Sequence, residues 1–122
     1  MPQPRSFEND EKKRELKSLL TQDPSLRETM MMQKLIELEL ARVDPQYWEN
    51  YQRQKDAAGT DIGSLMRIDF SLAQHVDYLM RNGQISSRSY LQRYSQRLMR
   101  LKTVKQLERA LASYQSERQK TR

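Results

Sequence analysis

Arg93, Arg97 and Arg100 recur at steps of four and three, the spacing that aligns side chains on one face of a helix. A guanidinium carries a planar fork of donors that can engage two phosphate oxygens at once, so a row of three is a candidate phosphate-binding stripe. At 100° per residue this row lies about 115° around a helix from Leu91, Tyr94, Leu98 and Leu101, an apolar seam at steps of three and four. One face can therefore pack while another stays cationic. Gln92 and Gln96 stand beside the arginines as candidate base-edge contacts. Arg81, Arg88, Lys102 and Lys105 extend the basic surface, with Arg109 beyond them. Three outcomes compete for these cations: contact with the phosphates of a nucleic acid, a solvated face or one neutralised by acidic residues of the first 80 positions, and contact with an acidic protein or membrane surface.

Other residue types offer interaction rather than catalysis. Tyr47, Trp48 and Tyr51 crowd the start of one helix, and tryptophan and tyrosine are enriched where proteins anchor partners. Val104, Leu107, Leu111 and Tyr114 continue at heptad-like spacing, and such a seam needs a neighbour to cover it, which predicts a second copy of the chain. Leu107, Leu111 and Tyr114 are thus candidate interface residues together with the aromatic corner. His75 is the only histidine, and its nearest acid, Asp77, points to another helix face, which predicts an edge histidine rather than a general base or metal ligand. Cysteine is absent, and glycines at 59, 63 and 83 are too scattered for a phosphate loop. A helix-turn-helix centred on Gly83 fails at Leu79, Asn82 and Gln84, where a small residue and two apolar ones are needed. The expectation is a non-enzymatic chain with no metal, no cofactor and no small-molecule substrate.

The elements that position these residues read as helices. With three glycines, four prolines and abundant Leu, Gln, Lys, Arg, Glu and Met, the chain favours helix and has few turn residues for a sheet. Asp23-Pro24 and Asp44-Pro45 each place a preferred cap before a proline suited to the first helical position. The first opens a helix near 24–43 with a wide apolar face, where Met30, Met31 and Met32 read as core filling rather than an adaptable groove. The second opens a helix that stops at Gly59. Ile62, Leu65, Met66, Leu72, Ala73, Val76, Leu79 and Met80 mark a long helix near 61–81, in whose apolar face Asp69 needs an edge or a partner such as arginine. Asn82-Gly83 ends it. A further helix spans 87–116. Its repeat slips at Leu101, Val104 and Leu107, and Thr103 with Gln106 forms a capping-box pair there, but continuity is favoured because no glycine or proline follows Gly83.

The expected fold is all-α: a small bundle of about five helices, with the 60–81 helix and the C-terminal helix packed antiparallel across Asn82-Gly83. Residues 1–8 read as a flexible arm preceding a short helix from Asn9, residues 9–116 as one domain, and residues 117–122 as a basic tail. No apolar run approaches the roughly 20 residues a membrane span requires, and no leader is visible, which predicts a cytoplasmic protein without membrane contact.

Charge resolves along the chain. Residues 1–80 hold 11 Lys and Arg against 14 Asp and Glu, whereas residues 81–122 hold 11 against 2, a net of +9 within an overall +6. A one-sided basic surface of this kind attracts a polyanion at long range. The leading expectation is a nucleic-acid-binding accessory or regulatory protein, DNA or RNA. The alternative is a helical protein–protein adaptor docking through the aromatic corner at 47–51 or the C-terminal seam.

Overall fold

The computed structural model describes residues 5–120, with side-chain burial from residue 10 to residue 118, and all regular structure among them is α-helical. Six helices follow in order: α1 (Arg5–Thr21), α2 (Pro24–Val43), α3 (Pro45–Ala58), α4 (Ile62–Arg81), α5 (Arg88–Leu98) and α6 (Val104–Lys120). The helical ends run further than expected, since α1 starts at Arg5 rather than Asn9 and α6 continues through residues read as tail. Positions 1–4 of the expected arm and 121–122 of the expected tail lie outside the described residues.

Local chemistry sets the boundaries. Asp44 caps α3, accepting the Tyr47 amide at 3.3 Å with Pro45 in the first turn. Asp23 takes the Arg27 amide on its carbonyl at 2.7 Å as α2 begins. At the end of α4, Gln84 N–H donates to the Leu79 carbonyl at 2.9 Å and Gly83 N–H to that of Met80 at 3.1 Å, with Gly83 at φ 70°. That pair of bonds is a Schellman motif, which requires a left-handed residue where Gly83 stands. Ser87 Oγ then caps α5 by accepting the Tyr90 amide at 3.2 Å.

The expected single helix over 87–116 is two helices. α5 stops at Leu98, and Thr103 and Gln106 start α6: Gln106 N–H donates to Thr103 Oγ1 at 3.1 Å, while Gln106 Oε1 accepts the Lys102 and Thr103 amides at 2.9 and 3.3 Å. The reason is angular. Nine residues separate Leu98 from Leu107, which on one straight helix would put them about 180° apart. Both are buried, at 2% and 0% exposure. A continuous helix would also turn Leu107 and Leu111 to the side occupied by Arg93 and Arg97, so one face could not be both packed and cationic.

The chain divides into two compact units, one formed by residues up to Leu35 and from Gln92 onward, the other by Ile36–Leu91. In the first, Leu16 and Leu19 of α1, Met31 and Leu35 of α2, Tyr94 and Leu98 of α5, and Leu107, Leu111 and Tyr114 of α6 are buried, and α1 packs along α6. In the second, Leu40, Val76, Leu79 and Ile85 form a core flanked by Ile36, Val43, Trp48, Leu72 and Met80. There α4 packs along α3. Glu39 is buried in this unit, accepting from Ser86 Oγ and Arg42 Nη2 at 2.6 Å each, which ties the loop after α4 to α2. A buried carboxylate is tolerable only when its oxygens are engaged in this way.

Candidate nucleic-acid interface

The charge asymmetry of the sequence follows the two units. Residues 1–35 and 92–122 carry 16 Lys and Arg against 8 Asp and Glu, and residues 36–91 carry 6 against 8. The first unit therefore holds a net +8 and the second −2.

Within the first unit, Arg93 and Arg97 stand one turn apart on α5, both exposed. The Arg97 guanidinium lies 5.0 Å over the Tyr94 ring, a cation–π contact that orients it while leaving it in solvent. Arg100 departs from the expected helical stripe. It follows the end of α5, in a turn where its N–H donates to the Arg97 carbonyl at 3.2 Å. Lys102 precedes α6, Lys105 lies in its first turn, and Arg109 follows one turn later, all exposed. The stripe is thus a cationic segment running through a helix, a turn and the next helix.

Among the described residues, none of Arg93, Arg97, Arg100, Lys102, Lys105 and Arg109 pairs with a carboxylate. Described acids of the first 80 positions pair elsewhere, among them Glu15 with Lys34, Glu39 with Arg42, Glu49 with Arg53, Asp69 with Lys55 and Asp77 with Arg81. Gln96 is engaged, donating to Glu28 at 3.2 Å, whereas Gln92 is exposed. Arg81 and Arg88 fall in the other unit, Arg81 at the end of α4 where it is held 3.5 Å from Asp77, and Arg88 as the first residue of α5.

The candidate interface residues fare differently. Leu107, Leu111 and Tyr114 are 0%, 7% and 1% exposed, covered within the chain itself, which removes the reason for expecting a second copy along that seam. Tyr47, Trp48 and Tyr51 are half-buried where α3 packs along α4. Trp48 stacks on Tyr51 with centroids 5.2 Å apart and lies against the Leu40 core. Tyr51 donates its hydroxyl to Asp69 at 2.8 Å, and Lys55 reaches the same carboxylate at 3.5 Å, so Asp69 is partnered by tyrosine and lysine rather than arginine. Burial first, then the bond donated to Asp69 and the charge of that carboxylate, push the Tyr51 hydroxyl far above its ordinary range.

Two features escaped sequence reasoning. His75 Nε2 lies 3.0 Å from Asp44 Oδ2 and its ring stacks on Tyr47 at 3.9 Å, a link between residues 31 positions apart that helix spacing cannot reveal. Ile62, Met66 and Phe70 are 71%, 67% and 67% exposed, a bare apolar stripe at steps of four. Its signal was present: these three lie about 110° around α4 from Leu65, Leu72, Val76 and Leu79, too far for one face to bury all seven. Among the described residues no cluster of three or more His, Asp or Glu is placed to hold a metal, and no helix is long and apolar enough to cross a membrane. No protein-family model, no curated protein and no solved structure matches the chain.

Proposed function

We propose that this chain is a small non-enzymatic nucleic-acid-binding protein, an accessory or regulatory factor that holds phosphates through Arg93, Arg97, Arg100, Lys102, Lys105 and Arg109. The observation that carries this reading is that these six exposed cations have no carboxylate partner among the described residues, in a unit of net +8. Unpaired cations in one short segment are the footprint of polyanion binding, in which displaced counterions supply much of the affinity. A lipid surface is disfavoured by the cationic segment itself, because interfacial binding wants exposed apolar residues beside the charge and Leu107 and Leu111, interspersed with its cations, are buried.

The test is the combined change of Arg93, Arg97 and Arg100 to glutamine. Wild type should be retained on nucleic acid at low salt and released as salt rises, and the triple variant should lose most of that retention. Equal binding by the two proteins, or no binding by wild type at low salt, would overturn the proposal.

A second reading, the helical adaptor, draws support from Ile62, Met66 and Phe70 rather than from the C-terminal seam. Apolar side chains one turn apart on an exposed helix suit an amphipathic partner helix, with Arg67 and Asp69 at hand for polar contacts of either sign.

A further inference from the structure

We infer that the nucleic acid taken by the cationic segment is a duplex, held through its phosphates alone and without regard to sequence. This rests on the reading above and specifies its ligand.

Single strands and double strands are recognised by different side chains. Proteins that hold single strands combine a basic groove with exposed aromatic rings on which unpaired bases stack. In the unit that carries the cations, the aromatic side chains whose burial is described are Tyr94 and Tyr114, at 9% and 1% exposure. They pack edge to face on each other with centroids 4.8 Å apart, and the outer face of Tyr94 is occupied by the Arg97 guanidinium. Neither ring is offered to a base. Tyr90, three residues before Arg93 on α5, is half-buried and engaged in a contact of its own, and the exposed aromatics Phe70 and Tyr78 belong to the other unit, which lacks the cationic excess.

Base-edge reading is equally restricted. Bidentate recognition of adenine calls for a free amide, and guanine for an arginine projecting from an element that enters the groove. Gln96 is bonded to Glu28, and Gln106 accepts two backbone amides in the cap of α6. That removes two of the three amides interspersed with the cations and leaves Gln92. Arg97 is held over Tyr94, and Arg100 sits in a turn rather than on a helix face. Apart from Gln92, what remains exposed is charge.

Charge alone discriminates between the two ligands. A duplex carries one phosphate per about 1.7 Å of axis against about 3.4 Å for one of its strands, and each neutralised phosphate contributes more to the salt dependence on B-DNA than on a single strand. A surface whose guanidinium and ammonium groups have no carboxylate partner among the described residues, and whose described rings are buried or half-buried, therefore prefers the denser polyanion.

The experiment is fluorescence anisotropy of the full chain with three labelled DNA probes of about 20 nucleotides per strand: a duplex, a second duplex of shuffled sequence, and the single strand of the first, between 50 and 200 mM salt. The expected result is duplex binding at least ~5-fold tighter than single-strand binding, with the two duplexes within ~2-fold of each other. The slope of log affinity against log salt should approach about −5 for six phosphate contacts and become shallower by about 1 in Arg93→Gln. Single-strand binding equal to or tighter than duplex binding, or a preference above ~10-fold for one duplex sequence, would overturn this inference while leaving nucleic-acid binding intact. Absence of binding to all three probes at 50 mM salt would overturn both.

Discussion

Tyr94 of α5 and Tyr114 of α6 meet edge to face, ring centroids 4.8 Å apart and planes at 65°, although 20 positions separate them. On one straight helix they would stand about 30 Å apart, at 1.5 Å per residue. Their contact is possible because the chain turns between Leu98 and Val104, and it joins the two elements that carry the cationic segment. Edge-to-face packing is favoured by the ring quadrupoles, and two large side chains buried together make this contact a major part of the unit's core.

Tyr114→Ala therefore should destabilise the chain by about 3–4 kcal/mol, the range for removing a buried aromatic ring and leaving a cavity. Urea unfolding monitored by circular dichroism checks it, and a loss below ~1 kcal/mol would mean that the ring is not held as described.

A rise in pH should weaken the chain through Tyr51. Burial and the bond to Asp69 keep its hydroxyl protonated in the folded state at pH values where the unfolded chain, with an ordinary tyrosine near 10, has released the proton. A folded value raised in this way makes a contribution that is fully present below about pH 10 and is lost as pH climbs toward the folded value. Wild type should lose stability above pH 10 faster than Tyr51→Phe, which has no proton to release there. Denaturant midpoints for the two proteins at pH 8, 10 and 11 supply the comparison, and parallel curves would contradict it.

Much of this arrangement is written in local sequence. The Asp-Pro starts at 23–24 and 44–45, the stop at Gly83 and the Thr103–Gln106 box each act within four or five residues, so each is visible in the chain and each forms. The Thr103–Gln106 box also marks the break between α5 and α6, although no glycine or proline accompanies it. The decisive signal was angular, because buried Leu98 and Leu107 cannot share a face of one helix. The six cations are legible as residues, but that none of them meets a carboxylate among the described residues is not, since pairing is settled by which acids fold against which bases. Asp69 illustrates the limit. Its place in the apolar face of α4 showed that it needed a partner, but Tyr51 lies 18 positions away on α3, at a distance fixed only once the two helices pack.

The two faces of α4 should respond oppositely to mutation. Phe70 is 67% exposed and Leu79 is 3% exposed in the Leu40 core, although both are large apolar residues on the same helix. Little apolar surface leaves water when Phe70 folds, so Phe70→Gln should change stability by no more than about 0.5 kcal/mol, while Leu79→Ala should cost about 2–5 kcal/mol. The same pair separates the two functional readings. Phe70 lies in the −2 unit, outside the cationic segment, so Phe70→Gln should bind duplex DNA as wild type does. Binding of an amphipathic partner helix by the stripe would instead be lost in Phe70→Gln and kept in the Arg93, Arg97 and Arg100 triple variant. A Phe70→Gln protein that loses both stability and duplex binding would show that the stripe is a structural surface of the chain rather than a free one.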